Sequence, residues 1–188
     1  MACNLATGRK VPCKSAFGGI KTVFMADFGT ISALVINETS KEVTGFSGSP
    51  SWFQYDVKGN SSLETAITSS RENGTTFYAQ TLNLTLTYLE AATQQEVQIL
   101  AVSRPHLVVE DYLGNQFLCG YENGMDLTTG TMVTGAAAGD LSGFTLVLEG
   151  MEEFAPFFFD FSATILPGSN IVHATQIDPT AIAVPIEP

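Results

Sequence analysis

The sequence predicts a mainly β fold: one sandwich- or barrel-like domain with a short α-helix, a long hairpin and an extended arm at each end. Three observations predict it. Short apolar runs bounded by glycine, asparagine and proline recur along most of the chain, the punctuation of strands and turns. Between Thr75 and Tyr88 the alternation is strict. Tyr78, Gln80, Leu82, Leu84, Leu86 and Tyr88 share one face, and Phe77, Ala79, Thr81, Asn83, Thr85 and Thr87 share the other. Helical spacing is confined to one stretch after Thr93.

In order, residues 1–21 form a basic arm, residues 22–166 the β-rich domain and residues 167–188 an extended tail. Strands are expected over Lys21–Phe28 and Ile31–Ile36, split by Gly29, and over Ser51–Val57, closed by the Gly59-Asn60 turn. Asn73-Gly74 suits a tight type I′ hairpin, because both of its central positions need positive φ. It joins Ser62–Ser70 to Thr75–Tyr88. Thr93-Gln94-Gln95-Glu96 fits a capping box, and Val97, Leu100 and Ala101 follow at helical spacing until Pro105. The predicted helix runs from about Thr93 to Ser103. Strands resume over Leu107–Asp111, Gln116–Cys119 and Met125–Val133. Gly135–Gly139 is a loop of small residues. Phe144, Leu146 and Leu148 then line one face of a strand, and Phe157, Phe159, Phe161, Ala163 and Ile165 one face of the last.

The charge is divided. The first 21 residues hold Arg9, Lys10, Lys14 and Lys21 and no acid, while the other four bases stand against all 19 acids. A basic arm on an acidic body suits docking between copies of the same chain. Only 14% of the 188 residues are charged, below the ~25% of ordinary domains, which suggests a surface covered by partners. Eight bases on a chain of pI near 4.4 argue against a nucleic-acid-binding surface.

No constellation reads as catalytic. Glu110-Asp111 and Glu152-Glu153 are adjacent carboxylates whose side chains point to opposite faces of a strand, so neither pair makes an acid–base dyad, and surface solvation is expected for both. Ser142 lacks the first glycine of a nucleophile elbow. Gly18-Gly19 and Gly135–Gly139 lack the lysine of a phosphate loop. Cys3, Cys13 and Cys119 show no metal or redox spacing, and His106 and His173 form no ligand pair. Neither a cofactor nor a metal is expected, nor is enzymatic activity. No signal-peptide-like core or membrane-length apolar run stands out, so a bacterial-type cytoplasm is the expected site of synthesis.

Three segments resemble a known family. They are Cys3-x4-Gly8-Arg9-x3-Cys13-Lys14-x3-Gly18-Gly19-Ile20-Lys21, Gly120-x2-Asn123-Gly124, and Gly139-Asp140-x-Ser142-Gly143-Phe144-Thr145-Leu146 with Gly150-x-Glu152-x2-Ala155-Pro156. Together they resemble the tail tube structural proteins of tailed bacteriophages. The resemblance implies packed β-sheets with a flanking helix, assembled as hexameric rings stacked into a hollow tube in the virion tail. It implies inner strands that join across protomers, with arms and loops that bridge rings. The partners are then other copies of the chain and other tail proteins, with DNA as non-specific cargo in transit and no membrane. The assembly residues expected on this basis are Arg9, Lys10, Lys14, Lys21, Asn73, Gly74, Thr81, Asn83 and Thr85. The cysteine-bearing arm departs from the general pattern and leaves a connector or capsid-associated virion protein as an alternative. The rival from another class is a secreted carbohydrate-binding or adhesin-like β-sandwich, favoured by Trp52, Phe53 and Tyr55.

Overall fold

The computed structural model describes residues 17–39, 42–57 and 59–159, and the backbone of 171–173. β1 (Ile20–Ala26) and β2 (Ile31–Ile36) occupy the two runs after the arm, β3 (Val43–Gly48) follows, and β4 (Trp52–Asp56) leads to the Gly59-Asn60 turn. β5 (Ser62–Ser70) and β6 (Thr75–Thr87) make the hairpin and α1 (Ala91–Leu100) the helix. Then come β7 (His106–Asp111), β8 (Gln116–Cys119), β9 (Asp126–Val133), β10 (Gly143–Glu152), β11 (Phe157–Phe158) and β12 (Ile171–His173).

The protein is mainly β, in three layers. The middle layer is a six-stranded sheet in the order β11-β8-β7-β1-β4-β12. On one side lies a four-stranded sheet, β5-β6-β10-β9, and on the other the β2-β3 ribbon. Two cores follow from this. Val23, Met25, Leu107 and Val109 of the middle sheet meet Leu82, Leu84, Leu146 and Leu148 of the four-stranded sheet. Phe24, Ala26 and Val108 point the other way, and with Trp52, Val43 and Phe159 they make the core beneath the ribbon. Strands β1 and β7 are buried on both faces, which is why they read as continuous apolar runs rather than alternating ones. Each fully buried leucine contributes about 1.5–3 kcal/mol through removal from water.

Several expectations change in detail. The hairpin loop has four residues, Arg71–Gly74, with Ser70 opposite Thr75. Gly74 has φ +65°, but among the described non-glycine residues only Asn60 and Tyr88 have positive φ, so the turn is not type I′. The helix starts at Ala91 with Glu90 at its N-cap and no side-chain capping bond. Thr93 is therefore the third helical residue, and the capping box does not form. Thr93, Val97 and Leu100 make the inward stripe instead. Ile20 and Lys21 belong to β1 rather than to the arm. The segment read as a tail contributes β12, which pairs parallel with β4. β11 has only two residues, extended by a bridge from Phe159 to Val43; Phe161, Ala163 and Ile165 lie outside the described residues. Strand β3 was not expected.

Candidate functional site

The outer face of the four-stranded sheet is the most distinctive surface. Strand register sets its rows. Ser62, Asn83, Val147 and Thr129 form one, and Thr85, Thr145 and Thr131 the next. A third row runs Glu64, Thr81, Glu149, Asp126. Three carboxylates thus lie across one line of the sheet, and no lysine or arginine occupies these rows. The opposite face of the same strands is the leucine core, so the sequence alternation translates directly into one dry face and one hydroxyl-rich, acidic face.

Among the described residues no strand or helix covers either edge of this sheet, and its edge charges are single acids, Glu64 on β5 and Asp126 on β9. β5 and β9 carry neither lysine nor proline, and the irregularity of β9 is a single bulge between its pairings to Val147 and Leu148. Successive strands of the sheet are all antiparallel. With four strands, the two edge strands run in opposite directions. A second copy related by rotation therefore brings its β5 antiparallel to the first copy's β9, and the alternation continues across the seam.

Thr81, Asn83 and Thr85 lie side by side on the outer face, as the alternation predicts. The Thr85 hydroxyl donates to the Asn60 carbonyl (3.1 Å), and Asn83 Nδ2 donates to Ser62 Oγ (3.4 Å). Asn73 and Gly74 sit far from them at the hairpin tip. Lys21 is paired within its own chain, to Glu110 at 2.7 Å, a bond that raises its pKa. Arg9, Lys10 and Lys14 lie outside the described residues, as do Cys3 and Cys13. The acidic row of Glu64, Glu149 and Asp126 escaped sequence reasoning because only the register places those residues together.

At the end of the sandwich a buried polar knot holds the 120–125 loop. Glu152 is 4% exposed and accepts hydrogen bonds from the Glu122 and Asn123 amides at 3.0 and 2.9 Å. This corrects the expectation of surface solvation for Glu152. Burial raises its pKa against those two bonds. The Gly120 amide donates to Gln80 Oε1 (3.1 Å). His106 accepts at Nε2 from the Gly29 amide (3.0 Å), so the ring proton is on Nδ1 and is donated to the Gly120 carbonyl (2.7 Å). Burial lowers its pKa and keeps the ring neutral. Gly120 has φ +64°, and a Cβ there would sit 2.8 Å from the backbone of Gly124, so glycine is required. All partners of these groups are backbone or amide groups, which makes the knot structural rather than a proton-transfer site. Cys119 is fully buried, and its thiol pKa is raised by burial, so it is not a poised nucleophile.

Trp52 is fully buried beneath the ribbon, so it offers no platform for sugar stacking. Tyr55 faces the other core, with its pKa pushed up to about 12 by burial and by Glu96 of the helix. Among the described residues no group of three histidine, cysteine or acidic side chains is placed to hold a metal, and no helix is long and apolar enough to cross a membrane. No family model, curated protein or solved structure matches this chain.

Proposed function

We propose that this chain is a structural virion protein of the tail-tube type, self-assembling into stacked rings whose four-stranded sheets join edge to edge around a channel for DNA. The observation that carries this reading is the four-stranded antiparallel sheet whose two edges no other described element covers, with a threonine-rich face whose rows carry only negative charge. An isolated protomer leaves both edges as templates for a partner strand, and a closed ring removes them.

The dimensions support passage of a duplex. Six copies would place about 24 strands in the ring. At ~4.8 Å between strands and a tilt of about 40°, the backbone circle is about 48 Å across, or ~38 Å after side chains line it. In that ring the Glu64–Glu149–Asp126 rows become an acidic belt. DNA carries one charge per ~1.7 Å, so such a belt repels the cargo and keeps it from sticking. Hydroxyls on the remaining rows keep the wall wet. The test is sedimentation velocity over a concentration series at moderate salt. The reading expects concentration-dependent species far above the 20.0 kDa of the chain. A strictly monomeric profile at high concentration overturns it.

A further inference from the structure

A cleft of about 530 Å³ opens between the two large sheets on the side where β5 is the edge of the four-stranded sheet. Leu63, Ile67 and Tyr78 of the hairpin form one wall, and Val109, Phe117 and Phe158 form the other. Ile67 lies opposite Tyr78 on the inner face and is 67% exposed. The far edge of the sheet has the same character. Met132 of β9 lies opposite Phe144 on the leucine face and is 57% exposed, with no described strand beyond it. Each edge therefore ends in inward-facing apolar surface that its own sheet leaves open.

Pairing of β9 from a neighbouring copy with β5 has few permitted registers. Inner residues must continue the inner face, so the register moves only in steps of two. Setting Met132 opposite Leu63 puts Val133 opposite Ser62, Thr131 opposite Glu64, Gly130 opposite Thr65 and Thr129 opposite Ala66. With the β9 bulge carried across the seam, Leu127 then meets Ile67 and Asp126 meets Thr68. Apolar residues face apolar ones, and both acids face threonine. A step of two one way sets Leu63 against Gly130 and Leu127 against Thr65. The same step the other way sets Ile67 against Gly130 and Met132 against Thr65. A step of four sets Glu64 against Asp126, acid on acid.

Ring closure favours the same register. The row that begins at Ser62 ends at Thr129, and Thr129 meets the next copy at Ala66, four residues along β5. Four residues over four strands is one residue per strand, the proportion that tilts barrel strands by about 36°.

We infer that a neighbouring copy's β9 pairs with β5 in this register, and that its Met132 and Leu127 close the cleft. The inference rests on the tube reading and names the seam that reading leaves open.

The experiment compares three full-length double variants: Leu63→Cys, Thr65→Cys or Ile67→Cys, each with Met132→Cys. Within one protomer β5 and β9 are three strand spacings, about 14 Å, apart, so these disulfides form only between copies. Assembled protein is isolated by sedimentation, mildly oxidised and mapped by mass spectrometry, which separates the engineered bonds from any to Cys3 or Cys13. The bond between positions 63 and 132 should exceed either other at least about tenfold, since opposite Cβ atoms lie about 5 Å apart and diagonal ones about 7–8 Å. Equal yields, or an excess of another pair, in assembled protein overturn the inference and leave the ring standing. A parent that never assembles overturns both. Met132→Asp keeps the test sharp if a cysteine pair blocks assembly. It should melt like the parent, because the side chain is exposed, yet assemble at least about tenfold more weakly, while Met132→Leu assembles normally. Assembly of Met132→Asp at parental concentrations overturns the inference.

Discussion

A matched pair of prolines on β9 separates the edge of the sheet from its interior. In a strand, consecutive residues point their amides to opposite sides, so of Thr131 and Met132 one donates toward β10 and the other toward open solvent. Their β10 partners are Thr145 and Phe144. Thr131→Pro and Met132→Pro therefore differ in a defined way. One removes a ladder bond of the protomer, worth about 1 kcal/mol, leaves the β10 carbonyl unpaired at about 1–3 kcal/mol, and lowers thermal stability. The other leaves the protomer within about 0.5–1 kcal/mol of the parent but deletes one bond of the proposed seam and leaves the partner's carbonyl unpaired, together about 2–4 kcal/mol per seam. At 1.4 kcal/mol per factor of ten, that is a weakening of roughly 30- to 1,000-fold in each pairwise contact. Thermal unfolding identifies which variant keeps its protomer intact, and sedimentation velocity reads assembly. The stable variant should stay monomeric where the parent assembles. If it assembles like the parent, β9 is not a seam and the edge-to-edge argument fails.

Other outcomes follow from the same geometry. Thr81→Trp adds bulk to the outer face without touching the core, so the protomer should stay within about 0.5 kcal/mol, and Thr85→Trp, which also gives up the hydroxyl's bond to the Asn60 carbonyl, within about 1.5 kcal/mol, while on the tail-tube proposal either blocks assembly or DNA passage. Normal tails and full infectivity in virions carrying either change would remove the outer face from the lumen. His106 has a native pKa below its ordinary 6.5, so the unfolded chain takes up the proton first, and stability falls as pH drops from about 6.5 toward the native value, at up to ~1.4 kcal/mol per pH unit. His106→Gln should flatten that slope in urea unfolding at pH 5.5, 6.5 and 7.5; parallel profiles would show that the ring is not held neutral. Glu152 works in the opposite sense. Its raised native pKa means that stability increases as pH falls through that value toward the ordinary 4.5, a trend Glu152→Gln should abolish.

The parts of the fold that were readable in the sequence are those with a single period. Strands β6 and β10 alternate cleanly because each has one dry face, and the expected hairpin arms, Ser62–Ser70 and Thr75–Tyr88, match β5 and β6 to within one residue. Strand β3 was invisible: Val43-Thr44-Gly45-Phe46-Ser47-Gly48 has two glycines and one fully buried side chain, too little pattern to stand out. The third layer was hidden for the opposite reason, since β1 and β7 carry apolar residues on both faces and continuous runs do not say what covers each side. The helix start slipped because Thr93 serves the core rather than the cap. The burial of Glu152 follows from strand geometry alone. If neighbours on a strand point to opposite faces, one of Glu152 and Glu153 must point inward. The acidic row depends on register between four strands, and the cleft on how two sheets diverge; neither leaves a local trace.

A tail-tube protein must close into rings. Negative-stain electron microscopy of the purified full-length chain tests this directly. Annular particles or tubes with an axial channel about 38 Å wide are predicted, from the strand spacing and tilt of a six-copy ring. Monodisperse particles of about 20.0 kDa, or aggregates without a channel, at concentrations where edge pairing should be saturated, would contradict it.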